Sequence, residues 1–380
     1  MANKSFEVSI NPEILRWVRE SDGWDTEEIS KKIKMSKENY EKIESGNKLL
    51  TFRQLEMLAN YFKRPVSVFF LSKPPEEPSI MSSFRILPKS ERDISKDLRL
   101  VIRKARYYQS ISNNLMLDLG IDTKAKITPA TIKDNPQMVA QEERKRMGIS
   151  IDEQFKWKNA YSAFNTWRDV IESSNILVFQ FNFPIEDARG FCLMDKEPPI
   201  IAINSNDNVL ARIFTLFHEY AHTLLGITEI YTEEEELINY RDVENWCNSF
   251  VAEFLIPESA LKEDKNFQPL FWFGFKTEIL QEISNRFKVS KYAILNRLRT
   301  LNLIDNDVYK RELLNLKTQY ARTKKKSGFA SPTQKCLSEK GKKFIYSVLQ
   351  SKEKGLITTA DAIEYLSIKL KQSGKVQEII

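Results

Sequence analysis

The stretch Thr215-Leu-Phe-His-Glu-Tyr-Ala-His-Thr-Leu-Leu225 holds the only two histidines in 380 residues, His218 and His222, with Glu219 between them. Four residues make about one helical turn, so imidazoles at i and i+4 share a face and can hold one zinc ion. Glu219 stands one position after the first histidine, where it can serve as general base towards an attacking water. The flanking Ile213, Phe214, Leu216, Phe217, Ala221, Leu224 and Leu225 make the helix strongly apolar. Polar side chains without a partner would be costly to bury there. A pair of hydrogen-bonded core histidines would have the same spacing, but the glutamate at its fixed place makes coincidence a poor explanation.

Catalytic zinc usually takes three protein ligands and keeps one open position. No third histidine exists, so a carboxylate is required, and the downstream candidates are the Glu233–Glu236 run, Glu244 and Glu253. The run reads as a solvated acidic loop. Glu244 and Glu253 fall in one apolar-rich helix ended by Pro257. Nine residues amount to about 900° of rotation, so the two face opposite ways and one alone can meet the metal. Asn248, one turn beyond Glu244, shares its face and could orient a ligand from behind, which favours Glu244. An oxyanion donor is also needed, and Tyr231, Tyr240 and Arg241 are the candidates.

Other elements must hold these residues. Before the histidine helix, residues 175–181, 190–194 and 199–203 are three short β-rich segments, consistent with a small sheet whose edge could take a substrate strand. Residues 157–173 form an amphipathic helix with Tyr161, Phe164, Trp167, Val170 and Ile171 on its core face. Asp93–Leu119 and Pro136–Met147 are further helices, and two more lie between Phe273 and Leu303. At the start of the chain, Asn11-Pro12, Thr26, Ser36 and Thr51 open four or five short helices. Two of them, separated by a three-residue turn, have the spacing of a helix-turn-helix, whose second helix enters a DNA major groove. On that geometry Lys37, Asn39, Tyr40 and Lys42 lie nearest the bases, and Lys48 and Arg53 nearer phosphate. Residues 1–73 carry 13 Lys and Arg against 11 Asp and Glu, net +2, a weak field for a phosphate backbone. Lys73-Pro-Pro-Glu-Glu-Pro78 is a stiff linker.

Two resemblances emerge from these residues. Residues 12–71, with Ile43-Glu44-Ser45-Gly46 and Val66-Ser-Val-Phe-Phe-Leu71, resemble the XRE helix-turn-helix family, although Lys34 stands where its turn often carries glycine and Glu38, Glu41 and Glu44 are acids on the recognition helix. Phe214-Thr-Leu-Phe-His-Glu-Tyr-Ala-His222 and Glu244, Cys247, Asn248, Phe250, Val251, Leu255 and Pro257 resemble the ImmA/IrrE metallo-endopeptidases, of gluzincin type. Ala188-Arg-Gly-Phe191 and Pro199–Asn204 match that family's upstream sheet. The resemblance implies zinc on His218, His222 and Glu244, Glu219 as base, and a protein substrate such as a helix-turn-helix repressor. Such fusions belong to phage, mobile-element, stress or toxin-antitoxin circuits, so a partner toxin is a further expectation.

The expected fold is mainly α with a small β-sheet (α+β), divided into a helix-turn-helix (1–73), a linker (74–88), a helical connecting region (89–155), the peptidase domain (156–305) and a helical C-terminal extension (306–380). At 42% apolar and 11% aromatic the chain has a globular composition. Met1–Pro12 has no apolar run, and nothing approaches a membrane span, so a cytoplasmic protein without a membrane partner is expected. Three scattered cysteines exclude a disulfide framework and read as buried small hydrophobes. The rival reading is a DNA-binding repressor or antitoxin whose zinc domain is structural or sensory and cuts nothing.

Overall fold

The computed structural model describes residues 6–75, 95–226, 233–265, 267, 277–322 and 331–369. It is mainly helical with two small sheets, and it divides into two compact units, Met1–Tyr107 and Tyr108–Ile380. Among the described residues no helix is long and apolar enough to cross a membrane.

In the first unit β1 (Glu7–Val8), α1 (Pro12–Ser21), α2 (Thr26–Lys32), α3 (Lys37–Glu44), β2 (Leu50–Thr51) and α4 (Phe52–Phe62) lead into a 3₁₀ turn at Val66–Phe70. Each helix begins where a short polar side chain can take an orphan backbone N–H. Asn11 accepts from Glu13, Asp25 forms a capping box with Glu28, Ser36 accepts from Asn39, and Thr51 forms a box with Gln54. Ile14, Val18, Ile29, Ile43, Leu55, Leu58, Phe62 and Phe69 fill the core. Lys34, between α2 and α3, has φ 55°. That left-handed backbone strains a side chain and explains why glycine would suit the turn. The first part of α5 (Lys96–Asp118) belongs to this unit and is held by Arg103, whose guanidinium clasps the buried Asp22 carboxylate.

The second unit contains the rest of α5, then α6 (Pro136–Arg146), α7 (Ile151–Lys156), α8 (Ala160–Ser173), β3 (Leu177–Phe181), β4 (Gly190–Leu193), β5 (Ile200–Asn204), α9 (Val209–Leu225), α10 (Glu233–Leu255) and α11 (Glu258–Lys262). Beyond these come α12 (Thr277–Phe287), α13 (Lys291–Thr300), α14 (Asn306–Arg322), α15 (Pro332–Glu353) and α16 (Thr359–Leu366). The sheet order is β3-β5-β4, with β3 parallel and β4 antiparallel to the central β5. Both faces are covered, so the strands are nearly continuous in apolar residues. Val178, Ile201 and Ile203 join the core with α8 and α9, while Phe179 and Phe181 stack on Tyr108 and Phe179 meets Phe344 of α15.

Several boundaries differ from the sequence reading. Residues 108–155 are not a connector: α6 and α7 supply Ala140, Val139, Ile151 and Phe155 to the core or its margin. The C-terminal residues are not an appended extension either, because α15 packs on β3 and α8. Gly341 breaks α15 at φ 74°, and Arg168 of α8 donates to the carbonyls of Leu337 and Ser338 next to the break. Glu172 accepts from the Lys343 backbone N–H at 3.2 Å. The acidic run Glu233–Glu236, read as a loop, forms the first turn of α10. The α12–α13 pair packs in the core through Leu280, Ile283, Phe287, Ile294 and Leu298. Tyr161 leaves its expected core face and is 63% exposed. The acidic part of the 73–78 linker lies outside the described residues.

Lys340 is 1% exposed, against Tyr108 and 3.2 Å from Ser367 Oγ. Burial pushes its ammonium from the ordinary 10.5 down to about 8. Below pH 8 both folded and unfolded chains are protonated; between about 8 and 10.5 the folded chain releases its proton first, so stability rises with pH there. Lys340→Met should remove that rise. Denaturant titrations at pH 8 and 10 should show wild type gaining on the variant by at most about 1.4 kcal/mol per pH unit.

Candidate metal centre

Helix α9 starts at Asn208, whose side chain accepts from the Leu210 N–H, and ends at Gly226 in the left-handed conformation, its N–H bonded to the His222 carbonyl. Its inward face is Ile213, Leu216, Phe217, Tyr220, Ala221 and Leu224, all fully buried. His218 and Glu219 therefore fall at the margin of that face, with side chains 16% and 12% exposed. Three contacts fix the helix from behind. Tyr220 donates to Glu143 at 2.5 Å, Arg146 donates to the Tyr220 hydroxyl at 2.8 Å, and Arg146 also grips Glu143.

Helix α10 packs on α9 through Phe250 and Phe254, with Phe217 and Phe254 ring centroids 4.3 Å apart. Its Trp246 indole donates to the Asp134 carbonyl at 2.8 Å. That packing delivers Glu244 between the histidines, with Oε2 3.2 Å from His218 Nε2 and Oε1 3.1 Å from His222 Nε2. One donor atom from each of the three lies within 4.8 Å of the others. Two ligand atoms each about 2.0–2.1 Å from a tetrahedral zinc stand about 3.3 Å apart, so the donor set fits one such ion.

Burial alone would depress the His218 imidazole, but the nearby Glu219 and Glu244 carboxylates outweigh it and hold His218 up at about 9. Burial likewise opposes the Glu244 charge, and its contacts with His218 and His222 overcome that and bring it to about 2. The metal-free centre is thus a charge-paired cluster.

The neighbourhood of the ligands differs from the expectation in one respect. Asn248 is exposed and makes no hydrogen bond to Glu244 among the described residues. Cys247 instead brings Sγ to 3.7 Å from His222 Nδ1. At about 100° per residue Asn248 sits some 40° to one side of Glu244 and Cys247 some 60° to the other, and α9 lies on the cysteine's side. Cys247 and Cys336 are buried, Cys192 half-buried. Glu253 lies away from the metal cluster, buried against the Arg297 guanidinium and accepting from Gln141 at 3.0 Å. Of the oxyanion candidates, Tyr231 and the Tyr240 side chain lie outside the described residues, and Arg241 is exposed.

In the first unit, Lys37, Lys42, Lys48 and Arg53 are exposed and Asn39 half-buried, accepting from Lys48 at 2.8 Å. Tyr40 cannot read a base: it is fully buried in the core. The α3 segment offers the core few apolar side chains besides Ile43, and the aromatic ring supplies the volume. Glu44 also turns inward, accepting from Arg19 at 2.7 and 2.9 Å, which removes one acid from the outer face of α3.

Two outcomes are expected. Glu244→Ala should weaken zinc binding far more than Glu253→Ala in titrations of the folded proteins. Glu253→Ala should instead cost about 3–5 kcal/mol of stability, because the Arg297 charge is left buried and unpaired. For the metal-free protein, His218 contributes stability that is complete below about pH 6.5 and lost as pH rises through about 9, while the Glu244 contribution is present above about 4.5 and lost only as pH falls through about 2. Melting of chelated protein should therefore show a decline between pH 6.5 and 9 that His218→Ala abolishes.

Residues 171–299, spanning the end of α8, the sheet, α9, α10 and nearly all of α13, match the family model of peptidase M78, the IrrE N-terminal-like domain. No curated protein matches the chain. The ImmA/IrrE part of the resemblance thus has a family match over this segment.

Proposed function

We propose that the second unit is a zinc-dependent endopeptidase acting on a regulatory protein, such as a helix-turn-helix repressor in a phage, mobile-element, stress or toxin-antitoxin circuit. The observation that carries this reading is the convergence of His218, His222 and Glu244 with Glu219 on the same helix. A zinc ion held by those three would supply Lewis acidity, making water acidic and polarising a peptide carbonyl. Glu219 takes the proton as the water oxygen bonds to the carbonyl carbon, and returns it to the amine when the C–N bond breaks.

The edge strand supports a peptide substrate. Arg189 accepts from the Asn204 N–H at 2.8 Å, and Gly190 lies opposite Ile203. Bonded and non-bonded pairs alternate along an antiparallel ladder, so Gly190 turns its own N–H and C=O away from β5. An extended substrate can add there as a further strand.

Glu219→Gln keeps the size of the side chain and both histidines but removes the base. When co-expressed with neighbouring helix-turn-helix or toxin proteins, it should retain zinc and lower cleavage of the partner by a factor on the order of 10² to 10⁴, read as loss of a zinc-dependent fragment on a gel. A partner left intact by both forms, with promoter silencing unchanged, would favour a repressor with a sensory zinc domain instead. For the first unit we propose duplex DNA as partner. Binding should weaken with salt and should fall in Lys42→Ala and Arg53→Ala, while Tyr40→Phe should leave sequence preference unchanged in gel-shift titrations of the folded protein.

A further inference from the structure

Gly190, the first residue of the edge strand, faces α9 at the level of the general base. A Cβ built on it would stand 2.6 Å from Thr215 Cγ2, 3.0 Å from the Ala202 carbonyl oxygen and 3.3 Å from Glu219 Cγ. Carbon atoms in good contact stay about 3.5–4.0 Å apart, so the place of a side chain is already taken. The constraint is space and not backbone conformation, because Gly190 is not in the left-handed region. The neighbours have little freedom to yield. Ala202 belongs to the central strand, and Thr215 is buried on α9 with a branched side chain that is stiff at χ1. Glu219 Cγ is one bond from the carboxylate.

We propose that Gly190 is a positioning residue for Glu219, acting through the side chain it lacks. Its bare Cα lets β4 close onto α9, so the main chain walls one side of the base and the outward peptide groups of Gly190 lie beside it. The same contact sets the distance between a substrate strand added at that edge and the carboxylate that deprotonates the water. This inference rests on the peptidase reading of the centre. None of the three atoms meeting the added Cβ belongs to His218, His222 or Glu244, so a substitution at 190 should disturb the base and spare the metal.

The test compares full-length wild type, Gly190→Ala, Gly190→Ala with Thr215→Ser, Thr215→Ser alone and Glu219→Gln. Each is assayed for zinc per chain and for kcat and KM on the best-cleaved member of a quenched-fluorescent peptide library. Gly190→Ala should keep its zinc and lose kcat by a factor on the order of 10 to 10², the cost of a displacement of about 1 Å at a catalytic group, with KM changed less than about threefold. Thr215→Ser deletes the methyl at 2.6 Å, so it should be nearly silent alone and restore most of kcat in the double variant. Full kcat in Gly190→Ala, loss of zinc in step with activity, a change confined to KM, or no rescue by Thr215→Ser would each overturn the proposal. Where Gly190→Ala does not fold, the double variant decides. Folded, zinc-loaded and within about tenfold of wild type it supports the proposal, and as slow as Glu219→Gln it refutes it. Wild type and Glu219→Gln cleaving equally would remove the peptidase reading, and this inference with it. A slow Glu219→Gln beside a fast Gly190→Ala removes this inference alone.

Discussion

The packing of α9 on α10 is the constraint on which the second unit depends. The interface is apolar along its length, through Phe217, Ala221, Leu224, Cys247, Phe250 and Phe254, and at one margin it carries two imidazoles and a carboxylate. Unpartnered polar groups in such surroundings cost several kcal/mol each, so the helices can meet in this register only if His218, His222 and Glu244 satisfy one another, through shared protons or through a cation. The surrounding elements hold that register. Arg144 of α6 donates to the Phe254 carbonyl at 2.7 Å, Glu143 and Arg146 hold Tyr220, and Ala130 donates its N–H to the Leu224 carbonyl at 2.9 Å.

What the sequence made legible was local. A four-residue spacing, a cap followed by an apolar stripe, and three β-rich segments before the histidine helix depend on neighbours within a turn or two, and α3, α4, α9 and the strands lie close to where those signals put them. The opposition of Glu244 and Glu253 follows from rotation along one helix and needs no knowledge of the fold. The rest depended on partners distant in sequence. Asn248 and Cys247 flank Glu244 on either side, and only the position of α9 decides which of them faces a ligand. Tyr40 lies on the inner face of α3 because the small core needs its ring. The C-terminal residues have their partners some 170 positions earlier, in Arg168 and Glu172, and no periodicity within the segment announces that. Tyr161 has the spacing of a core residue but falls at the end of its helix, beyond the cover of the elements that bury Phe164 and Trp167.

The glutamates show how far one functional group is defined by what faces it. Glu44 takes two N–H donors from Arg19, Glu143 takes Arg146 and the Tyr220 hydroxyl, Glu172 takes the Lys343 backbone and sits against Arg168, and Glu253 takes Gln141 and Arg297. Each is occupied by its partners and tied to holding helices together. Glu244 instead meets two imidazoles, groups that can give up a proton to bind a metal. Glu219 differs from all of these. Its carboxylate stands 3.9 Å from His218 Nδ1, where it helps to hold that imidazole's pKa up. A general base must keep a lone pair available until substrate arrives. On the peptidase reading proposed above, this nearly buried carboxylate beside a cluster able to hold a cation is the group placed to take a proton from water.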